Sequence, residues 1–419
     1  MLAMMRAAGY ARQSTAASVD SVMSGRPRRG RTPSTTPKVV VVKFRVERDV
    51  LAEAVTWVAR GLPVRPAVPV LAGVLIEAGA DGTVTLSAFD YEVSARVTVV
   101  AEVIEGGTAL VLGRLLSDIS RSLPADKPVD VATDGNKVSV TCGSSRFSLL
   151  QMPASDYPTL PTQPNPSGTI DGATFAQAVA QVAVAADRGD TLPILTGVRV
   201  EIEGDRVTFL ATDRYRLAMR EFTWNPSDPG ASHVALIPAR TLSETARALG
   251  QGGSVAVALG QAAGGDGLVG FEAGQRHSTS RLLDGEYPKV AKIFPTNSET
   301  EAVVKTADLV EAVKRVALVA ERNTPVRLRF GDGAVAIEAG TGEDAQASEA
   351  VEASIEGPEV EIAFNPAFLL DGLGALHMPY ARLSFTQPLK PAMLTGQAEV
   401  DGSPEVHYRY VLQPVRLTS

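Results

Sequence analysis

An internal repeat with a period of roughly 125 residues constrains the fold of this chain more than any single motif. Three segments with similar patterning begin at Val50, Thr174 and Asp308: VLAEAVTWVARGL, TFAQAVAQVAVAA and DLVEAVKRVALVA. In each of them apolar residues recur every three or four positions, which predicts an amphipathic helix with one buried face. The chain is therefore expected to fold as three similar domains and not around one large core.

A second set of similar segments lies between these helices. The segments are LVLGRLLSDISRSL (110–123), ALIPARTLSETARAL (235–249) and IAFNPAFLLDGLGAL (362–376). Each one reads as a strand, a break at Gly or Pro, and a helix, and alternating strand patterns follow. We therefore predict an α+β fold in which each domain contains two units, each made of one strand, one helix and several further strands.

The repeat places the domain boundaries in polar connecting segments. We predict three domains over 43–163, 168–293 and 300–417, joined by TQPNPSG and FPTNSET. Residues 1–42 are predicted to form a disordered basic tail, because their Ser, Thr, Pro, Gly and Arg content cannot bury a core. This tail either touches nucleic acid through its charge or is an inert extension, and an over-called translation start is a further interpretation.

Charge and hydropathy exclude several classes of protein. The first 38 residues carry seven basic side chains and one acidic side chain, so the remaining chain has a formal net charge of −13, compared with −7 for the whole chain. A surface that binds nucleic acid broadly should instead be basic, since Lys and Arg neutralise the phosphates. No apolar run approaches the length of a membrane span, so no membrane partner is expected.

Residues that could carry enzyme or metal chemistry are few. The single cysteine, Cys142, indicates a reducing compartment and a buried strand thiol, and we expect a cytoplasmic protein. Neither a cofactor nor a metal site is predicted, because four histidines are scattered without metal-ligand spacing: His233, His277, His377 and His407. No catalytic residue is predicted, and no catalytic activity of the chain itself is expected.

Two segments of similar build contain an aspartate after a hydrophobic strand. They are LSAFDYEVSARV (86–97) and FLATDRYRLAMRE (209–221), and the second is rich in arginine. A catalytic motif is rarely present twice in one chain, whereas a structural unit of a repeat is. We therefore predict that Asp213 fixes a turn or pairs with a neighbouring arginine.

Several segments together resemble the bacterial β sliding clamps, the processivity subunits of the replicative DNA polymerase. They are KFRVERDVL, RPAVPVLAGV and DYPTLP in the first repeat, ATDRYRLA in the second, and FNPAFLLDGL and PVRL in the third. The Val- and Ala-rich composition and the PVRL ending resemble those of actinobacterial members. The resemblance implies three tandem clamp domains, with helices lining a central channel and antiparallel sheets outside, and a ring-forming head-to-tail homodimer.

The resemblance also implies a function and a set of partners. The ring would encircle double-stranded DNA and tether the replicative polymerase through its α subunit, while the clamp loader and repair proteins would dock through short linear motifs. Weak contacts in the channel suit sliding, because tight pairing with phosphates would stop it. Two alternatives stay open: a specialised second clamp copy with an altered pocket, for example one that tolerates an inhibitor, and a peptide-binding scaffold that does not encircle DNA.

The family's peptide-binding pocket lies between domains 2 and 3, and the resemblance carries it onto particular residues of this chain. An extended peptide would place its apolar side chains in this pocket, while backbone and arginine groups would fix its orientation. The expected pocket residues are Leu195, Gly197, Thr212, Arg214, Tyr215, Leu217, Pro238, Leu242, Asn365, Phe368, Leu389, Pro391, Val411, Leu412, Gln413, Pro414, Val415 and Arg416. From the residues alone, ordinary core is the better interpretation of Leu195, Leu217 and Leu242, and only the resemblance favours the pocket.

Two further sets of residues follow from the resemblance. Basic side chains expected to face DNA are Arg60, Arg65, Arg121, Arg188, Arg247, Lys314, Arg315 and Arg322, of which Arg65 and Arg188 match the family's positions best. Apolar residues expected at the dimer interface are Phe147, Leu318 and Val319. For the remaining basic side chains, ordinary solvated helix charge is the competing interpretation.

One position departs from the family pattern. The family's C-terminal segment usually reads Met-Pro, and here Gln413 precedes Pro414 in VLQPVRL. A thioether adapts to varied apolar partners, whereas burying an unpaired amide costs about 1–3 kcal/mol. We therefore expect the pocket to bind apolar peptides, or an apolar inhibitor, differently from its relatives.

Overall fold

The structure is a computed structural model that describes residues 41–63, 65–189, 191–250, 252–261, 267–290, 293–295, 297–320, 324–340, 345–387 and 389–416. Residues 1–40 of the predicted tail lie outside this set. Val42, which the predicted tail includes, is fully buried, and its backbone N–H donates to Thr133 Oγ1 at 2.7 Å. The folded part of the chain therefore begins no later than Val42.

The first repeat contains two helices, α1 (Arg48–Ala59) and α2 (Gly113–Ser122). Its strands are β1 (Lys43–Val46), β2 (Gly73–Ala78), β3 (Thr83–Phe89), β4 (Val93–Val100), β5 (Glu102–Glu105), β6 (Gly107–Leu112), β7 (Val129–Asp134), β8 (Lys137–Cys142) and β9 (Ser145–Leu150). The two helices pack against each other, and α1 turns Leu51, Val55 and Val58 into the core. Cys142 is a buried thiol at the end of β8, as predicted.

The second repeat has the same element order, with helices α3 (Gly172–Ala183) and α4 (Ala239–Leu249). Its strands are β10 (Gly168–Asp171), β11 (Gly197–Glu203), β12 (Arg206–Thr212), β13 (Arg216–Thr223), β14 (Asn225–Pro226), β15 (Ser232–Pro238), β16 (Ser254–Gln261), β17 (Gly267–Ala273) and β18 (Arg276–Arg281). Asp171 caps α3, because its Oδ1 accepts from Thr174 N at 2.9 Å and so satisfies a free helical donor.

The third repeat contains helices α5 (Thr306–Val316) and α6 (Pro366–Leu376). Its strands are β19 (Thr300–Lys305), β20 (Val326–Gly331), β21 (Ala334–Ala339), β22 (Ala347–Glu356), β23 (Val360–Phe364), β24 (Tyr380–Phe385), β25 (Ala392–Gln397) and β26 (Tyr408–Leu412). Asn365 caps α6 through its Oδ1, which accepts from Ala367 N at 2.9 Å. The α+β class and the two strand–helix–strands units in each repeat are thus confirmed.

Antiparallel sheets cross from one repeat to the next. A nine-stranded sheet in the order β14-β10-β16-β17-β18-β4-β3-β2-β6 joins repeats 2 and 1 through the pair β18–β4. A twelve-stranded sheet, β15-β11-β12-β13-β26-β25-β24-β19-β22-β21-β20-β23, joins repeats 2 and 3 through β13–β26. The remaining sheet, β5-β1-β7-β8-β9, belongs to repeat 1. Each junction between repeats is therefore made of paired backbone and not only of a linker.

Some strands have a backbone edge that does not pair with another strand of the described residues. Strand β9 ends the five-stranded sheet. Strand β22 pairs with β21 over 347–352 and with β19 over 353–356, so each half has a different neighbour among the described strands. An unpaired strand edge can accept a strand from another chain. No helix in the described ranges is both long and apolar enough to cross a membrane.

Candidate functional site

The turn between β12 and β13 is held by the carboxylate of Asp213. Its Oδ1 accepts from the backbone N–H groups of Tyr215 and Arg216, both at 3.0 Å, and its Oδ2 accepts from Arg216 Nε at 2.8 Å. Asp213 and Arg216 are both buried. All of these bonds are internal to the turn, so the prediction that Asp213 fixes the turn and pairs with an arginine is confirmed.

Arg216 connects this turn with helix α6 of repeat 3. Its Nη1 donates to Asp371 Oδ2 at 2.7 Å, and its guanidinium lies 4.3 Å from the centre of the Phe368 ring. The side chain is only 3% exposed, so both carboxylates compensate a buried charge. The Tyr215 ring stacks on Phe368 with 6.3 Å between centroids. Arg216 therefore positions the two aromatic rings at the junction of repeats 2 and 3.

A tyrosine from the linker closes the other side of the turn. Tyr287 OH accepts from Thr212 N at 2.9 Å, and burial raises the pKa of Tyr287 to about 12. The phenol therefore remains neutral at physiological pH. The Thr212 hydroxyl donates to Arg216 O at 2.6 Å and accepts from Arg214 N at 3.1 Å. Arg214, inside this turn, sits at φ 79°, a left-handed conformation.

The outer face of this junction carries an apolar cluster, which we call the junction cluster. Its buried members are Leu195, Leu210, Leu217, Met219, Leu236, Tyr287, Val290 and Val411, with Ile194, Leu283, Phe294 and Met393 partly buried around them. Gly197 is needed beneath it, since a Cβ at this position would lie 2.7 Å from Leu236 Cδ1. A groove of about 930 Å³ opens over Leu210, Met219, Tyr287 and Val290. Charged side chains, among them Arg199, Glu201 and Arg409, also line this groove, and apolar contacts combined with polar groups can hold and orient a peptide.

A second group of predicted residues adjoins the aromatic pair. Gln413 N donates to Tyr215 O at 2.8 Å, while the Gln413 side chain is exposed. Asn365 caps the helix that carries Asp371, and its Oδ1 also accepts from Phe368 N at 3.4 Å. The structure thus brings Tyr215, Phe368, Asn365 and Gln413 to the same junction as the junction cluster.

Other predicted pocket residues lie elsewhere. Leu242 and Leu412 are fully buried in the main core, so neither lines an accessible wall. Leu242 points inward because it lies on the core face of α4, and Pro238, just before this helix, borders a groove between α3 and α4 instead. Leu389 is 63% exposed and Pro391 is half-buried, and neither belongs to the junction cluster.

The C-terminal segment, 414–416, lies against repeat 3. Pro414 is buried, and Val415 N donates to Ala363 O at 2.8 Å, which holds the chain against β23. Arg416 is exposed. This segment therefore supports the junction from the side of repeat 3.

The pocket residues predicted from the sequence include only three of the eight buried members of the junction cluster, Leu195, Leu217 and Val411. Leu210 and Met219 face each other across β12 and β13, and Val290 follows Tyr287 by three residues in the linker. A signal was present in FLA (209–211), because this uninterrupted apolar run indicates a strand that is covered on both faces. The alternating run in repeat 1 carries Ser87 at the corresponding place.

The basic side chains predicted to face DNA differ in their exposure and in their ion pairs. Arg60, Arg65 and Arg247 are exposed, and Arg188 lies 3.8 Å from Asp371 with 79% of its side chain exposed. Ion pairs hold Arg121 to Asp118 (2.5 Å), Lys314 to Glu311 (2.8 Å) and Arg315 to Glu349 (2.5 Å). Arg322 lies outside the described residues. Arg188 and Arg247 line one groove together with Arg240, an exposed residue that sequence reasoning missed.

The residues predicted for the dimer interface lie at two separate places. Phe147 is half-buried on strand β9 at the end of its sheet. Leu318 is 84% exposed on the 3-10 turn that follows α5, and Val319 beside it is half-buried. The two places belong to repeats 1 and 3, so a contact between them would have to join two chains head to tail.

Comparison with known proteins gives consistent matches along the chain. Models of the DNA polymerase III beta subunit match as N-terminal domain at 42–161, central domain at 169–289 and C-terminal domain at 291–409. The beta sliding clamp of Streptomyces coelicolor is 58% identical over 377 residues, which cover 90% of this chain and all of that protein. The beta sliding clamp homolog GriR of Streptomyces muensis is 47% identical, with 90% of this chain and 99% of that protein covered. The crystal structure of the Bacillus subtilis DNA polymerase sliding clamp superposes with a TM-score of 0.81 at 27% identity, and covers 90% of this chain and all of that one.

Proposed function

The chain belongs to the DNA polymerase III beta subunit family, the bacterial β sliding clamps, and from this membership we propose that it encircles duplex DNA as a head-to-tail homodimer and tethers the replicative polymerase. It is a non-catalytic processivity factor, and we propose that it acts on DNA in the cytoplasm. The single observation that carries the proposal is family membership along the whole described chain, with all three domain models matched in order.

The junction cluster is the proposed docking site for partner proteins. Leu210, Met219 and Val290 line the groove and offer apolar contact, Leu217 and Val411 support them from below, and the groove is wide enough for an extended segment. Tyr215, Phe368 and the exposed amide of Gln413 would contact the polar end of the same segment. We propose that short linear motifs of the polymerase α subunit, the clamp loader and repair proteins compete for this site, which makes their binding mutually exclusive.

The proposed DNA contacts are weak by construction. Arg65, Arg188 and Arg247 are exposed cations that can reach a phosphate, whereas Arg121, Lys314 and Arg315 would first exchange an acidic partner. A ring holds DNA by topology, so affinity for phosphate is not required and strong affinity would oppose sliding. The acidic remainder of the chain supports this distribution, because it repels DNA from the outer surface.

The internal repeat suggests how two copies pair. Within the chain, β18 pairs with β4 so that Ser278 lies opposite Ala95, and β26 pairs with β13 so that Tyr410 lies opposite Ala218. By sequence and register, β9 occupies the place of β18 and β26, and β22 that of β4 and β13. We propose that β9 of one copy pairs with β22 of the other, with Phe147 opposite Ala347, and that Leu318 and Val319 pack against this seam.

The experiment that tests this function compares circular with linear DNA. The protein, loaded on nicked circular DNA by its clamp loader, is expected to stay bound through gel filtration in high salt and to be lost once the DNA is cut by a restriction enzyme. Topological retention depends on the closed ring and the closed DNA, whereas phosphate contacts are screened by salt. Equal loss from circular and linear DNA would favour the scaffold that does not encircle DNA.

One position supports a second interpretation, a specialised clamp copy with an altered pocket. Gln413 replaces the family's usual methionine, and its side chain is exposed in the free protein. An apolar peptide that covers this amide removes it from water without a certain partner, which costs about 1–3 kcal/mol. The specialised interpretation therefore predicts a pocket that discriminates against apolar ligands at this position.

Replacing Gln413 with methionine tests this discrimination directly. We expect the variant to bind a fluorescein-labelled peptide with the clamp-binding motif of the polymerase α subunit, here called the polymerase peptide, about tenfold more tightly, because no amide is desolvated. The measurement is a fluorescence-polarisation titration, with Gln177→Met on the exposed face of α3 as the matched control. A dissociation constant equal to that of the wild type would remove Gln413 as a specificity determinant.

A further inference from the structure

The junction of repeats 1 and 2 repeats the backbone frame of the proposed peptide pocket. Asp90 Oδ1 accepts from Glu92 N at 3.0 Å and Val93 N at 2.7 Å, as Asp213 does in its own turn. Tyr91 adopts φ 77°, compared with 79° for Arg214. The two turns therefore have the same conformation and the same carboxylate support.

The linker tyrosine is also repeated. Tyr157 OH accepts from Phe89 N at 2.7 Å, as Tyr287 OH accepts from Thr212 N at 2.9 Å. Below each tyrosine the linker returns to the edge strand in the same way, with Met152 N bonded to Leu110 O and Leu283 N bonded to Leu236 O, both at 2.8 Å. The frame of a second pocket is thus present at the junction of repeats 1 and 2.

Strand register makes the two junctions comparable residue by residue. Leu210 lies opposite Met219 at the junction of repeats 2 and 3, and Ser87 lies opposite Arg96 at the equivalent place. In repeat 3 this pair is Glu338 and Ser348. Only one of the three repeats therefore carries an apolar pair at this position.

The cross-junction pair differs in the same direction. Leu217 lies opposite Val411 at the junction of repeats 2 and 3, whereas Ser94 lies opposite Thr279 at the junction of repeats 1 and 2. Ser94 Oγ and Thr279 Oγ1 are 2.6 Å apart and buried, so they form a hydrogen bond where the pocket has apolar contact. The cleft beside them holds about 450 Å³ and is lined by polar groups that include Gln163 and His277.

One aromatic side chain stands where the junction of repeats 2 and 3 has a threonine. Phe89 is the last residue of β3 and Thr212 is the last residue of β12, and each directly precedes the aspartate of its turn. Phe89 is 8% exposed and packs with Leu110 and Tyr157 in a small cluster of its own. Thr212 at the same place has a smaller side chain, and its hydroxyl donates to Arg216 O within the turn at 2.6 Å.

We infer that the junction of repeats 1 and 2 is a closed copy of the peptide pocket, in which Phe89 and the Ser94–Thr279 pair are the specificity-determining residues that restrict each chain to one bound peptide. This inference rests on the proposed docking function of the junction cluster. The junction of repeats 1 and 2 is not more polar at every position, because Leu75 occupies the place that Arg199 occupies in repeat 2. The inference therefore depends on Phe89 and on the Ser94–Thr279 pair and not on overall polarity.

The substitution Thr212→Phe places a phenylalanine in the proposed pocket at the position equivalent to Phe89. Thr212→Phe is expected to weaken binding of the polymerase peptide by about 30-fold or more, since a benzyl group fills the anchor space. Thr212→Val is the matched control, because it removes the same hydroxyl bonds without adding an aromatic ring, and it should weaken binding about tenfold less than Thr212→Phe does. Wild-type affinity of Thr212→Phe would overturn the role assigned to Phe89.

Four substitutions that give the junction of repeats 1 and 2 the residues of the proposed pocket are expected to create a second peptide site. The variant with Phe89→Thr, Ser87→Leu, Ser94→Leu and Thr279→Val should raise the stoichiometry from about one to about two polymerase peptides per chain in calorimetry. Adding Leu217→Ser and Val411→Thr closes the original pocket, and about one site should remain. A folded opened variant that still binds one peptide overturns the inference.

The calorimetric result also separates the two claims. A wild-type chain that binds no polymerase peptide contradicts the proposed docking function itself, whatever the variants do. If the opened variant does not fold, as judged by circular dichroism, the Thr212→Phe and Thr212→Val pair decides the matter alone. These two substitutions lie at a position whose equivalent in repeat 1 already accommodates phenylalanine in the same turn.

Discussion

Arg216→Ala is expected to destabilise the junction of repeats 2 and 3 by about 3–5 kcal/mol and to abolish docking of the polymerase peptide. The reason is that its guanidinium is 3% exposed and compensates two carboxylates, Asp213 at 2.8 Å and Asp371 at 2.7 Å. Removing it leaves the buried Asp213 carboxylate without its cation, and Phe368 loses the group that lies over its ring. The measurements are the midpoint of the first urea transition and the fluorescence-polarisation titration.

Arg188→Ala is the matched control for Arg216. Its guanidinium meets the same Asp371 carboxylate, but at 3.8 Å and with 79% of the side chain exposed. An exposed pair of this kind contributes about 0–1 kcal/mol, so this variant should unfold and bind peptide almost as the wild type does. Equal behaviour of the two variants would show that the buried ion pairs do not position the pocket.

Leu318→Glu is expected to weaken dimerisation by about a thousandfold. Leu318 is 84% exposed at the end of α5, where it has the exposure of an interface residue and not of a core residue. A carboxylate buried there should cost about 2 kcal/mol at each seam. A ring of two head-to-tail copies has two identical seams, so both contribute and the total is about 4 kcal/mol.

Sedimentation velocity over a dilution series measures this effect, and the chain provides a matched control. Val100, at the end of β4, is also 84% exposed, so Val100→Glu adds the same charge at an equally exposed apolar residue outside the proposed seam. We expect the control to remain dimeric at concentrations where Leu318→Glu is monomeric. A dimer of unchanged stability in both variants would exclude Leu318 from the interface.

The internal repeat made much of this architecture predictable. Helix periodicity identified α1, α3 and α5 and gave their equivalence, because each helix buries one apolar face and the same spacing recurs three times. The role of Asp213 followed from its counterpart Asp90, since both carboxylates serve a turn. Repetition within one chain thus separated structural residues from residues specific to one copy.

The composition of the proposed pocket was less predictable. Leu242 was assigned to the pocket wall although α4 turns it into the core, because resemblance of a motif does not tell which side of an element a leucine faces. Met219 and Val290 were missed, since they come together only when β13 and the linker fold over the same sheet face. Such contacts join distant parts of the chain, and local patterns contain no record of them.

Strand pairing across the repeat junctions determines where the proposed ring would open. The ladder from Arg216 to Arg220 against Tyr408 to Leu412 fixes repeat 2 to repeat 3, and a similar ladder fixes repeat 1 to repeat 2. Opening either would expose backbone groups that nothing else in the same molecule satisfies. In the proposed ring, DNA would therefore enter most easily where separate subunits touch, and each chain would move as one rigid half of the ring.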